Sequence, residues 1–543
     1  MYFMIQNFQA VMTTNKLLLI TTTYFTLVFN YPFLSEFMGA IIALEQFNVL
    51  FLLSVPFLLG SLLLIVFAIL AVPVIFKPML ISITLTSAMV FYAALNYGTV
   101  FDYGMIQNSV ETDQAEAFSY LNTQAAIYFF ILGLLPALFI AKAKIINHSY
   151  TKAAFARLKL IAGALAVLLT IVFFFYQDYA AVGRNNSHVK KFINPTQYLY
   201  SGAKYIKYNY LESEIPFKTL DTAPIDTSPK QREVMIVVLG ETARAENFSS
   251  NGYTKNTNQY TEKYDITSFE NMFSCGTATA VSVPCMFSMM TRDNFERRHA
   301  DKQQNVIDLI QLAGFDVQWI SNNGCKNVCD RVPTINIDLA QSNPLCDGHY
   351  CQDEILLLPL QQKLNSLSKN KTFIVLHMMG SHGPTYFKRY PQEHQKFTPD
   401  CARSDIQNCS SEQLINTYDN TIAYTDFVLS KVIEQLEELP ENYKTSMLYV
   451  SDHGESLGES GVYLHGLPYS FSPEQQRHIP MLLWSNNNQH HTNCMKEQAK
   501  NQLFSHDNLF HSLLGWLSIS STAYQNQLDI FASCSPSKTL AKN

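Results

Sequence analysis

The sequence predicts a chain of two classes: a bundle of five membrane-spanning α-helices followed by an α/β domain on the extracytoplasmic side. Two distributions predict it. Five long stretches without Asp, Glu, Lys or Arg all precede residue 178, whereas all ten cysteines follow residue 270. Uncharged apolar runs of about 20 residues cross a bilayer as helices. Cysteines concentrate where the compartment oxidises them.

The five stretches are Leu17 to Ser35, Phe47 to Phe76, Pro78 to Phe101, Leu121 to Ala141 and Leu160 to Gln177. The first is short and has only Lys16 as a basic flank, which also suits a cleaved leader. No small-x-small site follows it and four further stretches do, so it is taken as a retained helix. Orientation follows from the loops, because cytoplasmic loops collect Lys and Arg. Lys142, Lys144, Lys152, Arg157 and Lys159 separate the fourth and fifth stretches, and Lys77 separates the second and third. Glu36 and Glu45 follow the first stretch and Asp102, Glu111, Asp113 and Glu116 follow the third, with no base among them. The residues before Lys16 are therefore expected in the cytoplasm and everything after Asp178 outside it.

The expected organisation is a membrane domain over residues 1–180, a bridge over 181–232 and a catalytic domain over 233–543. Within the bridge, Asn194 to Leu211 opens on Asn-Pro and carries Tyr198, Tyr200, Tyr205, Tyr208 and Tyr210 beside Lys204 and Lys207. That composition predicts a helix at the headgroup layer. Thr219 to Arg232, with Pro224 and Pro229, reads as a linker.

From Val234 onward, short apolar runs end in polar residues. Val234 to Leu239 ends at Gly240-Glu241-Thr242, Asp316 to Ile320 at Asn322-Asn323, Thr372 to Leu376 at His377, and Met447 to Val450 at Ser451-Asp452-His453-Gly454. In open α/β sheets, ligands bind beyond the carboxyl ends of the strands, so these tips are expected to converge on one site. A net charge of −6 and a charged fraction of 15% give no sign of nucleic-acid binding.

The cysteine spacing suggests local disulfides: Cys275 with Cys285, Cys325 with Cys329, Cys346 with Cys351 and Cys401 with Cys409, leaving Cys494 with Cys534. Metal binding by the thiols is the competing reading. Spacing alone does not fix the connectivity.

Asp452-His453 ends one run, Glu241 occupies the same place on another, and Thr279 stands in Ser274-Cys275-Gly276-Thr277-Ala278-Thr279 ahead of an expected helix. Such oxygen and nitrogen donors suit zinc, and a hydroxyl next to a metal loses its proton readily. An activated nucleophile is the expected result.

At this point the chain resembles a family. Gly240 to Arg244, Ser274 to Thr279 continuing through Ser282-Val283-Pro284-Cys285-Met286-Phe287, Ser381-His382-Gly383-Pro384, Ser451 to Glu459, and Tyr463-Leu464-His465-Gly466 are similar to motifs of the phosphoethanolamine–lipid A transferases. These are inner-membrane enzymes of Gram-negative bacteria and include the mobile colistin-resistance enzymes. The resemblance spans nearly the whole chain.

It implies an alkaline-phosphatase-like (sulfatase-like) fold, with zinc held by Glu241, Thr279, Asp452 and His453 and with Thr279 as nucleophile. It further implies that His382 and His465 bind phosphate or a second metal ion and assist proton transfer. Lys326, Asn108, Thr112 and Glu116 would contact the phosphoethanolamine group. Asn327 stands where the family usually carries glycine. The implied reaction transfers phosphoethanolamine from phosphatidylethanolamine to lipid A through a threonine-bound intermediate, among inner-membrane lipids, by a protein taken as a monomer. Polymyxin resistance would follow. The rivals are a membrane-anchored sulfatase or phosphodiesterase, for which five spans have no use, and an inactive sensor, for which the retained ligand set has none.

Overall fold

The computed structural model describes residues 10–44, 47–112, 120–146, 149–186, 188–325, 327–487 and 492–534. Contacts within it define two compact units. The first comprises the described residues of Met1–Ile106 and Leu121–Tyr210, and the second those of Gln107–Tyr120 and Leu211–Asn543.

The first unit is helical: α1 (Thr14–Tyr24), α2 (Tyr31–Ile42), α3 (Val49–Leu70), α4 (Phe76–Tyr97), the start of α5 (Tyr103–Glu111), α6 (Thr123–Lys142), α7 (Tyr150–Asn185) and α8 (Thr196–Ile206). Among the described residues, α3, α4, α6 and Thr151–Ala180 of α7 are each long and apolar enough to cross a membrane, and a bent pair makes a fifth when its two helices are counted as one span. That pair corrects the expectation of one continuous helix over Leu17 to Ser35. Thr14–Phe29 and Tyr31–Ile42 meet at 61°. The break has two causes in the sequence. Pro32 brings no backbone N–H, and the buried Asn30 turns its amide onto the carbonyls of Phe25 at 2.9 Å and Asn194 at 2.6 Å. A side chain inserted into the helical ladder is a standard source of a kink.

On the side assigned to the cytoplasm, Lys77 Nζ donates to the carbonyls of Ala141 (2.7 Å) and Ala143 (3.0 Å) at the end of α6. A cation there satisfies carbonyls that have no intrahelical partner. The expected tyrosine-rich helix is present as α8 and continues as a wider turn over Lys207–Leu211. Tyr200 and Tyr210 are exposed, but Tyr198 faces inward, its hydroxyl 2.7 Å from that of Thr86.

The second unit is built on β1 (Arg232–Gly240), β2 (Thr267–Phe273), β3 (Asp316–Ser321), β4 (Thr334–Asn336), β5 (Lys371–His377), β6 (Tyr443–Ser451), β7 (His478–Ser485) and β8 (Phe504–Ser505). Among the described residues they form one eight-stranded sheet in the order β8-β2-β7-β6-β1-β5-β3-β4. The run β6-β1-β5-β3-β4 is parallel, and β7 is antiparallel to both its neighbours. Seven successive residues of β1, Val234 to Gly240, are buried, as a strand covered on both faces requires. Met235, Val237 and Leu239 join the core that includes Trp319 and Phe373. The long helix α10 (Ser411–Glu437) follows α9 (Thr279–Met286) in labelled order and opens with a capping box between Ser410 and Gln413.

The stretch Thr219 to Arg232 is not a free linker. Ile225–Asp226 pairs antiparallel with Ile519–Ser520, and Gln304 Oε1 accepts the N–H groups of Leu220 and Asp221 at 2.7 and 2.9 Å. Its prolines suit a chain that lies on a surface as well as one that swings free.

Candidate active site

The sheet register brings the donor residues together. Gly240 of β1 is level with Ser451 of β6, so the next residues, Glu241 and Asp452, leave the sheet side by side. Leu239 is also level with His377 of β5, and His377 with Ser321 of β3, which puts the other tips at the same end. Thr279 is the first residue of α9, where helical N–H groups and the dipole favour negative charge on an oxygen.

Glu241, Thr279, Asp452 and His453 are all buried. Thr279 Oγ1 donates to Glu241 Oε1 at 2.9 Å and lies 3.3 Å from His453 Nε2. That nitrogen is 3.4 Å from both Glu241 Oε1 and Asp452 Oδ2. His453 Nδ1 donates to the Gly454 carbonyl at 2.8 Å, which leaves Nε2 as the nitrogen turned toward the carboxylates. Donor atoms of Glu241, Asp452 and His453 lie within 4.8 Å of one another. Two carboxylates, one imidazole and a hydroxyl are a zinc-type donor set.

The electrostatics point the same way. Burial and the neighbouring charge of Glu241 raise Asp452 above the usual carboxylate range. Burial opposes charge on Glu241 too, but the hydrogen bond and charge of His453 hold it below that range. Against burial, Asp452 and Glu241 raise His453. A buried cluster with this balance attracts a cation.

Sequence reasoning assigned no role to several supporting groups. Asn323 Nδ2 donates to Glu241 Oε2 at 2.8 Å, and the N–H groups of Thr242 and His453 donate to Asp452 Oδ1 at 3.1 and 2.7 Å. Thr242, a β-branched residue, sits at φ 58°, a left-handed conformation that tends to mark functional turns. Gly380 has φ +53°, and a Cβ there would lie 2.6 Å from the Glu241 carbonyl. Only glycine lets the two strand tips approach so closely.

The rings of His382 and His465 are 5.4 Å apart, and those of His453 and His465 are 4.4 Å apart. Glu455 Oε1 is 3.3 Å from His465 Nδ1, while Glu455 Oε2 accepts from the Tyr386 hydroxyl at 3.0 Å. Glu455 was present in the Asp452 to Glu455 motif, but nothing in spacing tells which histidine it faces.

Asn108 is buried on α5, and Thr112 Oγ1 donates to its carbonyl at 2.7 Å. Both belong to the second unit, with the catalytic sheet, although they fall in sequence between membrane helices. Glu116 and Lys326 lie outside the described residues. Asn327 takes φ 71°, a left-handed conformation that asparagine tolerates better than most residues. The ten cysteines form the five pairs suggested by spacing, Cys275–Cys285, Cys325–Cys329, Cys346–Cys351, Cys401–Cys409 and Cys494–Cys534. No described cysteine is left as a free thiol.

A covered, largely parallel sheet with a threonine hydroxyl at a helix start and buried acids and a histidine at strand tips is the arrangement of the alkaline-phosphatase and sulfatase class. The Sulfatase family model matches residues 233–519, and that of Phosphoethanolamine transferase EptA/EptB matches residues 59–210. Phosphoethanolamine transferase EptA of Escherichia coli K12 is 38% identical over 95% of this chain and 96% of its own length. Phosphatidylethanolamine transferase Mcr-1 of E. coli is 37% identical over 81% of this chain and 84% of its own. The integral membrane lipooligosaccharide phosphoethanolamine transferase A of Neisseria meningitidis superposes with a TM-score of 0.91 at 36% identity, covering 97% of this chain and 99% of that one. The chain belongs to the phosphoethanolamine transferase family. It is a multi-pass inner-membrane enzyme whose catalytic domain is periplasmic.

Proposed function

We propose that this transferase uses zinc and Thr279 to move phosphoethanolamine from phosphatidylethanolamine to lipid A. The contacts of Thr279 Oγ1 with Glu241 and His453 Nε2, at 2.9 and 3.3 Å, carry the reading. Glu241, Thr279, Asp452 and His453 would hold the ion. Zinc bound there supplies Lewis acidity toward the phosphoryl oxygens and favours the ionised threonine oxygen.

Thr279 gives up its proton with His382 or His465 assisting and attacks phosphorus in line, and the diacylglycerol oxygen leaves. His465, oriented by Glu455, or His382 gives the leaving oxygen its proton. The product is a phosphoethanolamine ester of Thr279. A lipid A phosphate then attacks that ester, releasing Thr279 and completing a double displacement. Asn108, Thr112, Glu116 and Lys326 receive the donor headgroup, with Glu116 meeting its ammonium. The division into a membrane domain over 1–180, a bridge over 181–232 and a catalytic domain over 233–543 is part of this reading.

Lipid A is taken as acceptor because a relative acts on lipooligosaccharide. An added ammonium lowers the negative surface charge that attracts polymyxins, so resistance is expected. Mass spectrometry of lipid A from cells with and without the protein tests the whole reading. A phosphoethanolamine increment that appears with the protein and disappears with Thr279→Ala supports it, and an unmodified lipid A overturns it.

A further inference from the structure

Helix α9 carries Thr279 at its start and contains Pro284. Proline has no N–H, so the carbonyl of Ala280, four residues earlier and adjacent to Thr279, has no helical donor. Ala280 is fully buried, where an unsatisfied carbonyl is unfavourable. Arg297 fills the gap. Its buried guanidinium donates through Nη1 to the Ala280 carbonyl. Its Nε binds both oxygens of Asp301 at 2.8 and 2.9 Å, and Nη1 lies 3.4 Å from Glu111 Oε2. Glu111 Oε1 accepts from Gln107 Nε2 at 2.9 Å, one turn back on α5 and next to Asn108.

We infer that Arg297 is a positioning residue for Thr279: it replaces the N–H that Pro284 lacks, and its pairing with Glu111 ties the first turn of the nucleophile helix to the segment carrying Asn108 and Thr112. The inference rests on Thr279 being the nucleophile proposed above. A point charge cannot do the same work, because one ammonium cannot reach Ala280, Asp301 and Glu111 as the guanidinium fork does. Freed of that donor, the first turn shifts, and a displacement near 1 Å at a nucleophile lowers rates by about 100-fold.

The test uses the full chain in detergent with phosphatidylethanolamine, following phosphoethanolamine on Thr279 by intact-protein mass spectrometry. Arg297→Lys keeps a cation for Asp301 and Glu111. It is expected to lower kcat by about 10- to 100-fold with KM within about twofold. Adding Pro284→Ala restores a backbone N–H aimed at the Ala280 carbonyl. The double variant is expected to regain a kcat within about threefold of Pro284→Ala alone. Rescue by a change of backbone chemistry is not what loss of a salt bridge would show. A double variant as slow as Arg297→Lys, or Arg297→Lys with wild-type kcat, overturns the inference. If Arg297→Lys melts well below wild type, Glu111→Gln is read instead, and an unchanged KM and kcat in it overturns the Glu111 link. Absence of the adduct from Thr279 in wild-type protein would sink the nucleophile reading itself, a different failure.

Discussion

In the proposed mechanism, one hydroxyl at Thr279 separates a transferase from a protein that only binds metal. Thr279→Ala removes that oxygen while leaving Glu241, Asp452 and His453, so metal content measured by plasma emission is expected to persist while lipid A modification disappears. Thr279→Ser, which keeps the oxygen, is expected to retain part of the activity. Asp452→Ala is a different loss. It takes a buried carboxylate from the ligand set, and both metal and activity should fall by at least about 10-fold, as removal of supporting groups already does. Glu241, Asp452 and His453 were legible as strand-tip residues because each follows an apolar run, and Thr279 because it stands at a helix start. The bond of Asn323 to Glu241 and the pairing of Glu455 with His465 were not, since side-chain partners depend on rotamers and on which loops meet. Glu455→Gln is accordingly expected to lower kcat by roughly 10-fold, less than the about 100-fold or more that a general acid–base group itself contributes, because His465 stays in place. An unaltered pH–rate profile in Glu455→Gln would remove His465 from the proton path.

Among elements, the four strands that carry the site were readable from their composition, and the register that aligns Glu241 with Asp452 follows once they pair in parallel. The antiparallel β7 and its neighbour β2 were not singled out, because β2 (Thr267–Phe273) is only partly buried and mixes polar with apolar residues. The bend between α1 and α2 was hidden for a similar reason: hydropathy records that a stretch is apolar, not that Asn30 and Pro32 interrupt its ladder. Gly380 tests the element scale. Gly380→Ala forces a left-handed alanine, unfavourable by about 1–2 kcal/mol before any clash is counted. Its methyl would also press on the Glu241 backbone. Weaker metal retention on dialysis, with the disulfides intact by alkylation, is the expected result.

The stability of the whole molecule should depend on pH through two buried histidines. His506 Nδ1 accepts from the Cys275 N–H at 3.1 Å and its Nε2 donates to the Ser451 carbonyl at 3.0 Å, while His511 Nδ1 accepts from the Gln525 N–H at 3.1 Å. Burial lowers His506 from 6.5 to about 3 and His511 to about 4. Because the unfolded chain binds these protons first, stability is fully present above pH 6.5 and is lost as pH falls toward the folded values. Between pH 6.5 and pH 5, each histidine should remove about 1–2 kcal/mol, a drop of several degrees in melting temperature. His511→Gln, whose amide oxygen can accept the Gln525 N–H without titrating, should flatten that slope. A slope as steep as wild type would exclude His511. The composition of the second unit has a practical side as well. A truncated fragment beginning at Leu211 would carry all four donor residues yet lack Gln107, Asn108, Glu111 and Thr112, which belong to the same unit. Inhibitor screens run on such a fragment would score compounds against an altered surface beside Ala280, so hits should be ranked on the intact chain.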